Sequence, residues 1–338
     1  MGPMTLGPMT LGLVFWLDLG IKLVVVAAVV PLIGMVIGYG EMKLSAHMQS
    51  RVGPYFAGGR YGWAQLIADG VKFIQKEDIV PADADRPVFK WAPALVFLGT
   101  MALLVIIPLH PSSNGIVRDL DVGIFYALAI SSVSTIGVLM AGWSSANKYS
   151  MIGGLRAAGQ LIAYELPLVL ATVGVVIQAG TMSMQGIVQA QVTQGWPFLF
   201  TQFVGFAIFM IAALAELTRL PSDMPIAESE LVMGYVTEYS GFRFLFFFLA
   251  EFTNMFSMSA IAATLFLGGY AIWGLDPSNL LSPVILFAKV GILLFLMIWL
   301  RWTLPRLRED QLQTLAWKWL IPISIVNILV TAVLKVVV

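Results

Sequence analysis

The sequence contains no cysteine and only two histidines, His47 and His110. Without thiolates, the chain can hold neither a cysteine-ligated iron–sulfur cluster nor a disulfide. Neither histidine lies inside an apolar run, so the sequence offers no helix-embedded pair of haem ligands. If the protein takes part in electron transfer, a partner must therefore carry the electrons.

Charge is scarce as well. Charged residues make up 11% of the chain and the formal net charge is zero, which gives no electrostatic basis for binding nucleic acid. Hydrophobic residues make up 59%, and the mean hydropathy is +0.88. These values predict an all-α, polytopic integral membrane protein with a single membrane domain, residues 1–338. We expect residues 1–19, which repeat GPMTL without a basic n-region, to form a flexible leader rather than a cleaved signal peptide.

Eight apolar segments are long enough to cross a bilayer, which takes about 20 residues each. The predicted spans are 20–40, 92–109, 122–143, 158–180, 196–216, 243–273, 281–300 and 316–335. The sequence has no larger internal repeat, which argues against a transporter built from inverted repeats.

Lysine and arginine are distributed asymmetrically between the two sides. They concentrate in segments 41–91, 143–157, 217–242 and 301–315, which we predict to be cytoplasmic loops. The other side carries only Arg118 in a loop and Lys335 at the end of the last span. Both termini are therefore predicted to lie outside the cytoplasm.

The first cytoplasmic loop contains a segment with helical periodicity, YGWAQLIADGVKFIQKED. Apolar residues such as Trp63, Leu66 and Val71 share one face, and polar residues such as Asp69 and Lys72 take the other. This pattern predicts an amphipathic helix lying along the membrane interface. A lid helix over the bundle would give the same periodicity, so both interpretations stay open.

A dense group of acids occupies the segment from Leu214 to Tyr239, which also holds Arg219. The acids are Glu216, Asp223, Glu228, Glu230 and Glu238. Ionisable groups at a membrane boundary commonly mark an ion path or a polar substrate chamber, whereas a solvated loop is the plainer alternative.

Two more acids lie inside predicted spans: Glu165 in the fourth and Glu251 in the sixth. A chain of such carboxylates can pass protons, although each taken singly could make only a structural hydrogen bond. We expect Lys289, near the middle of the seventh span, to balance one of the buried acids. No nucleophile elbow, zinc-type histidine cluster or phosphate loop is present, so the sequence predicts neither a catalytic residue nor a metal site on this chain.

Five sequence blocks resemble a known family over nearly the full length of the chain. They are EMKLSAHMQSRVGP (41–54), ADGVKFIQKED (68–78), GWSSANKYSMIGGLRAAGQLIAYEL (142–166), AELTRLPSDMPIAESELVMGYVTEYSG (215–241) and WLRWTLPRLREDQL (299–312). The family is the quinone-site membrane subunit of respiratory complex I, NADH-quinone oxidoreductase, known in bacteria as the H subunit. The chain departs from the family pattern at Met42, at Tyr55, near Gly59 and at Pro225-Ile226.

The resemblance implies a subunit that couples quinone reduction to proton translocation and carries no cofactor of its own. It also implies that the substrate is a quinone, ubiquinone or menaquinone, and that the iron–sulfur clusters and flavin belong to partner subunits. The membrane is then expected to be the inner or plasma membrane of a bacterium. Two peripheral subunits complete the quinone chamber, and small and antiporter-like membrane subunits continue the proton path.

The residues implied by the resemblance form two sets. The chamber candidates are Glu41, Lys43, Arg51, Asp69, Glu216, Arg219, Asp223, Glu228, Glu230 and Arg301. The candidates for the proton path are Glu165, Glu216, Glu251 and Lys289. The nearest alternative is the equivalent subunit of a membrane-bound hydrogenase or of a complex fed by ferredoxin or another donor. A proton-coupled secondary transporter is a more distant alternative. The lack of an inverted repeat argues against it.

Overall fold

The computed structural model describes residues 8–111, 119–272 and 281–337, with side chains from Trp16 onward. Arg118, which contributed to the predicted orientation, lies outside these residues. The helices are α1 Pro8–Met48, α2 Gln65–Gln75, α3 Arg86–Leu104, α4 Gly123–Ser144, α5 Lys148–Ala179, α6 Met184–Gln194, α7 Phe198–Thr201, α8 Phe203–Glu216, α9 Glu228–Leu231, α10 Gly241–Phe266, α11 Leu281–Thr303, α12 Glu309–Thr314 and α13 Ile321–Val337. A 3₁₀ turn, Gly234–Val236, precedes α10, and a π-helical turn, Leu315–Leu320, joins α12 to α13.

Seven helices within the described ranges are long and apolar enough to cross a membrane. They are α1, α3, α4, α5, α10, α11 and the continuous run from α12 to α13, and they confirm the prediction of an all-α polytopic protein. The remaining predicted span, 196–216, is divided into α7 and the 14-residue α8. The break falls at Gln202, whose buried side chain bonds to Thr331 and Asn327 of α13.

The first helix differs from the prediction at both ends. It begins at Pro8, so residues 8–19 of the predicted flexible leader are helical. Proline fits the first turn of a helix, and the apolar residues after it continue into the span. At its other end α1 continues to Met48, into the predicted first loop. Its 41 residues make a helix about 60 Å long, twice the thickness of a hydrocarbon core of about 30 Å.

Helices α5 and α10 form the centre of the bundle. In the most apolar part of each helix, 61% of the residues of α10 and 56% of those of α5 are buried. The corresponding share is 17% in α1 and in the α12–α13 run. Helix α5 contacts α4, α8 and α13, and α10 contacts α1, α3 and α11. Small residues bring helices together: a Cβ atom on Gly142 of α4 would lie 2.9 Å from the Cα atom of Gly154 in α5.

Consecutive spans run in opposite directions, which defines two ends of the bundle. We call the end at which α1, α4, α8 and α11 finish the inner end, and the other the outer end. Helix α2 lies at the inner end against α1 and α10, with Leu66 buried beside Gly38 of α1. Its other apolar residues, including Ile67, Val71 and Ile74, are exposed. The long loops therefore gather at the inner end, and the acidic segment 214–239 lies there as well.

Candidate functional site

The loop between α8 and α10 folds tightly over the inner end. Thr218 has φ 51° and Val232 has φ 63°, which are rare values for residues branched at Cβ. Gly234, with φ 55°, is the only residue type that fits its position, since a Cβ atom there would lie 1.7 Å from the Pro225 carbonyl oxygen. Its backbone also packs against Gly153 of α5. Packing thus holds strained backbone in place, which is commonly found at functional sites.

Four buried or half-buried ions from three helices and this loop form one network. Arg219, which is 2% exposed, donates from Nη1 to Oε2 of Glu41 in α1 at 2.5 Å. Its Nη2 lies 2.8 Å from Oε1 of Glu251 in α10, and Arg301 of α11 also donates to Glu41. The guanidinium stacks over the ring of Phe252, 4.9 Å from its centroid.

The protonation state of Arg219 follows from these partners. Burial alone would lower the pKa of Arg219, but the carboxylates of Glu251 and Glu41 outweigh it and raise that pKa. Arg219 is therefore a permanent cation that joins α1 to α10. Because a buried charge without a partner is costly, the two acids and this arginine depend on one another.

A cavity of about 690 Å³ opens beside this network, and we call it the larger cavity. Its size falls in the range of small-molecule sites, roughly 300–1,000 Å³. Its walls combine acids, arginines, hydroxyls and two aliphatic side chains. The lining residues are Thr218, Arg219, Leu220, Asp223, Ile226, Glu228, Ser229, Glu251, Arg301 and Arg306.

Asp223 lines the larger cavity, and its surroundings raise its affinity for protons. Burial raises the pKa of Asp223, the charges of Arg306 and Arg301 lower it, and Glu228 and Glu230 raise it again. The net shift is upward, although Arg306 Nε lies 3.9 Å from its Oδ1. Asp223 is thus suited to hold a proton and to give it to a bound molecule.

Glu230 points away from the larger cavity, unlike Glu228. Its Oε2 accepts from Arg156 Nη1 of α5 at 2.5 Å, and its Oε1 lies 3.6 Å from Arg306 Nη2. The hydrogen bond from Arg156 lowers the pKa of Glu230. Arg156 also reaches Glu309 of α12, at 3.4 Å. The sequence prediction treats Glu228 and Glu230 as equivalent, whereas the structure has only Glu228 on the cavity wall and Glu230 in surface ion pairs.

A second cavity of about 60 Å³ lies deeper, among α3, α4, α5, α8 and α10, and we call it the smaller cavity. Its lining is rich in hydroxyls and includes Thr100, Ser131, Ser134, Thr135, Glu216, Thr218, Tyr235, Glu251 and Asn254. Thr218 and Glu251 line both cavities, so they form the wall between them. Glu216 belongs to the smaller cavity and not to the larger one, although the sequence prediction places it among the chamber residues.

Glu165 lies beyond Glu216 as seen from the larger cavity. Its carboxylate contacts Ser132 of α4, and its charge interacts with that of Glu216, which in turn contacts Ser131. Glu165 is partly exposed between α4 and α5. The order of acids running away from the larger cavity is therefore Glu251, Glu216 and Glu165.

Four other predicted chamber residues line neither cavity. One is Glu41, which pairs with Arg219 and Arg301; the others are Lys43, Arg51 and Asp69. Lys43 donates to the Pro54 carbonyl oxygen, and Arg51 donates from Nε to Gln49 Oε1 at 2.7 Å. Asp69 of α2 accepts from Gln65 at 3.3 Å and lies 3.7 Å from Lys72. These last three side chains stabilise the end of α1, the following loop and α2.

Among the residues that the structure describes, Lys289 pairs with backbone carbonyls and not with a membrane acid, so that expectation was wrong. Its Nζ donates to the carbonyl oxygens of Leu267 at 2.6 Å, Gly269 at 3.0 Å and Ala271 at 2.5 Å. Lys289 lies about two turns from the outer end of α11, whereas the acids lie at the inner end. Three carbonyls satisfy the three donors of an ammonium group, and Glu251 takes Arg219 as its partner instead.

Several site residues were missed from the sequence. Arg306 was used only to orient the chain, although it borders the larger cavity. The hydroxyls of α4 lie in the run SSVST, where Ser131 and Ser134 are three residues apart and share a helix face. That concentration of hydroxyls in one apolar span was the pattern that could have revealed the smaller cavity.

Comparisons with known proteins identify the family of the chain. A family described as NADH dehydrogenase matches residues 21–332. The H subunit of NADH-quinone oxidoreductase from Bacillus mycoides (strain KBAB4) is 46% identical over 299 residues, 87% of each chain. The H subunits from Bacillus cytotoxicus and Geobacillus kaustophilus (strain HTA426) are 47% and 46% identical, again over 87% of each chain. These matches confirm the resemblance and favour it over the hydrogenase, ferredoxin-fed and transporter alternatives. The chain therefore belongs to the family of NADH-quinone oxidoreductase H subunits, whose members are membrane subunits of respiratory complex I.

Proposed function

We propose that this chain forms the inner part of the quinone chamber of its complex and the first carboxylates of a proton path. One observation carries the proposal: Glu251 lines both cavities and pairs with Arg219. A change of charge in the larger cavity therefore acts directly on an acid that borders the smaller one.

The larger cavity suits the headgroup of a quinone. A neutral amphiphile needs apolar walls with a few convergent polar groups, and Leu220 and Ile226 supply the first while Arg301 and Asp223 supply the second. Reduction of a quinone to a quinol takes two electrons and two protons. The electrons come from an iron–sulfur cluster on a partner subunit, and Asp223 and Glu228 are the proton donors on this chain.

Loss of those protons changes the balance of charge around Arg219. New carboxylates in the larger cavity attract Arg219 and Arg301, so Glu251 keeps a weaker cation partner. Glu251 is then protonated and becomes neutral, and Glu216 donates that proton. Glu216 is refilled from Glu165, which completes one step of proton transfer toward the chamber.

The position of Glu165 supports membrane partners at the face formed by α4 and α5. Its exposed neighbours Ile136, Ile162 and Leu166 are apolar, and a carboxylate in contact with lipid is costly. A second membrane subunit that covers this face would remove that cost and receive the proton path. The small and antiporter-like membrane subunits of the complex are the partners we propose here.

The inner end is the surface we propose for the peripheral subunits. Phe56 is 90% exposed, and Tyr55 and Tyr61 next to it are also exposed. These rings project from the loop after α1, which extends beyond the bundle, so a protein surface must cover them. The peripheral iron–sulfur and quinone-site subunits would complete the larger cavity from this side.

We further propose that the inner end faces the cytoplasm of a bacterium and that both termini lie outside. The chain has no cysteine, so a single introduced thiol reports its own position. Arg60→Cys should react with a membrane-impermeant reagent only in inside-out vesicles from which the peripheral subunits have been removed, and Thr193→Cys at the outer end only in intact cells. The reverse labelling pattern would overturn the orientation.

The chamber is tested by a matched pair of acids two residues apart. Glu228→Gln should lower quinone reductase turnover of the assembled complex by about tenfold or more, because it removes a proton donor from the cavity. Glu230→Gln removes a surface ion pair and should change turnover by less than about twofold. Equal effects of the two variants, or a larger effect of Glu230→Gln, would contradict the assignment of the larger cavity.

A further inference from the structure

The smaller cavity contains three buried oxygen atoms that form no hydrogen bond with any described residue. They are Oε2 of Glu216 in α8, Oγ of Ser134 in α4 and Oδ1 of Asn254 in α10. All three residues line the same cavity. A buried polar atom without a partner is strongly unfavourable, so native proteins satisfy such atoms with bound water.

We propose that Asn254 and Ser134 bind water in the smaller cavity, and that this water connects Glu216 with Glu251. This inference rests on the proposed function, since it assigns positioning residues to the proton path. Asn254 and Ser134 do not carry the proton themselves. They hold the molecule that does.

The size and the lining of the cavity fit this role. Its volume of about 60 Å³ admits a few water molecules, because one requires roughly 10–15 Å³ of such space. Hydroxyl, carboxyl and amide groups line it, together with apolar side chains such as Val96, Leu161 and Phe247. A neighbouring cavity of about 10 Å³ offers the contrast: it is too small for more than one water and is lined mainly by apolar residues such as Leu168, Phe209 and Met258. Of these two cavities, only the one between the acids combines a polar lining with sufficient volume.

The helix positions of the two residues support the connection. Asn254 follows Glu251 by three residues on α10, and Ser134 follows Ser131 by three residues on α4, so each pair shares a face. Ser131 contacts Glu216, and Glu251 borders the cavity from the other side. Water bound by Asn254 and Ser134 would therefore lie between the two acids. Because an amide and a hydroxyl do not ionise at physiological pH, they would hold this water in every protonation state of the acids.

The proton transfer balances without another reactant. Protonated Glu216 gives its proton to the bound water, which passes a different proton to the Glu251 carboxylate. One O–H bond breaks at Glu216 and one forms at Glu251, and the water is regenerated. The negative charge moves from Glu251 to Glu216, which Glu165 then reprotonates.

The experiment uses the whole complex, reconstituted in tight vesicles, with three variants. Asn254→Leu keeps the branching of the side chain but removes the oxygen, Ser134→Ala removes a hydroxyl, and Asn254→Gln keeps an amide that does not ionise. Thr172→Val is the matched control, since it removes a buried hydroxyl beside the neighbouring apolar cavity. The readouts are the rate of proton pumping, the quinone KM and the ratio of rates in H₂O and D₂O.

We expect Asn254→Leu and Ser134→Ala to slow pumping by about tenfold, to leave the quinone KM unchanged and to increase the solvent isotope effect. Asn254→Gln should recover most of the rate, and Thr172→Val should match the unmodified complex. If Asn254→Leu prevents assembly, Ser134→Ala decides the question, because it removes only one atom. Wild-type pumping by Ser134→Ala, or by assembled Asn254→Leu, overturns the inference.

A second pair of variants separates this outcome from a failure of the proposed function. If Glu216→Gln and Glu251→Gln stop pumping while Ser134→Ala does not affect it, the acids form the path but the proposed water does not connect them. If the two glutamine variants also pump normally, the path itself is wrong.

Discussion

The inner and outer ends of the bundle both bury polar groups, but they bury different kinds. At the inner end they include a set of charged groups: Glu41, Arg219, Glu251 and Arg301 form one network beside two cavities. Among the described residues of the outer end they include the amides of Gln191 and Gln202 and the ammonium group of Lys289, all hydrogen-bonded to backbone or side-chain partners. We therefore propose that polar residues within the membrane serve two separate purposes in this protein, one structural and one functional.

The outer end illustrates the structural purpose. Gln191 donates from Nε2 to the carbonyls of Thr264 at 2.9 Å and Leu265 at 3.2 Å, and its Oε1 accepts from the Phe198 amide at 3.1 Å. The amide therefore satisfies the last carbonyls of α10, which have no partner within their own helix. Lys289 does the same for the residues that follow α10.

The inner end illustrates the functional purpose. There the charges are shared, since Glu41 pairs with two arginines and Arg219 pairs with two acids. The neighbouring oxygens of Glu216, Ser134 and Asn254 lack partners among the described residues. Shared charges and cavities let protonation states change, whereas fully bonded neutral groups do not titrate.

The largest expected effect comes from removing the central cation of the inner end. Arg219→Met leaves Glu41 and Glu251 without their shared partner, which typically costs about 3–5 kcal/mol for a buried pair. We expect little assembled complex and no quinone reductase activity in the remainder. The amount of complex in solubilised membranes and its turnover check this.

Arg219→Lys sharpens the same prediction. An ammonium keeps the charge but lacks the planar fork that reaches both acids, so it holds only one of them. Assembly should recover while turnover stays low. Wild-type turnover in Arg219→Lys would show that bridging Glu41 to Glu251 is not needed.

The sequence predicts the membrane architecture well but the site only in part. Long apolar runs give the spans because the bilayer imposes length and polarity over consecutive residues. The pairing of Glu41 with Arg219 and Arg301 joins residues 178 and 260 positions apart, which no local pattern encodes. For the same reason the sequence did not reveal that Lys289 binds the carbonyls after α10.

At the outer end we expect a smaller effect, on stability rather than on activity. Lys289→Met removes three hydrogen bonds to backbone carbonyls, and each unsatisfied buried carbonyl costs about 1–3 kcal/mol. The isolated complex should lose thermal stability, while turnover per assembled complex and the proton-to-electron ratio stay at the wild-type level. If Lys289→Met loses pumping at normal stability, Lys289 belongs to the proton path. The polar groups of the outer end would then not be purely structural.

The smallest expected effect concerns pH. The pKa of Asp223 is raised, mainly by burial, so the acid is protonated below that pKa and becomes a carboxylate as the pH rises through it. Only the protonated form donates, so turnover should fall on the alkaline side of the profile. Asp223→Asn cannot donate a proton at any pH. It should lower turnover by about two- to fivefold at acidic pH, and turnover should then fall less steeply on the alkaline side. An unchanged profile in Asp223→Asn would exclude Asp223 as a proton donor.

The most direct test of the account is proton pumping by Glu165→Gln in tight vesicles. Glu165 lies outside both cavities, so this variant leaves the chamber and its charges intact while removing the ability of one acid to ionise. We predict normal assembly, an unchanged quinone KM and a loss of at least about tenfold in pumping and coupled turnover. Pumping at the wild-type rate would contradict the account, because it would make the acids of the inner end structural, as the polar groups of the outer end are.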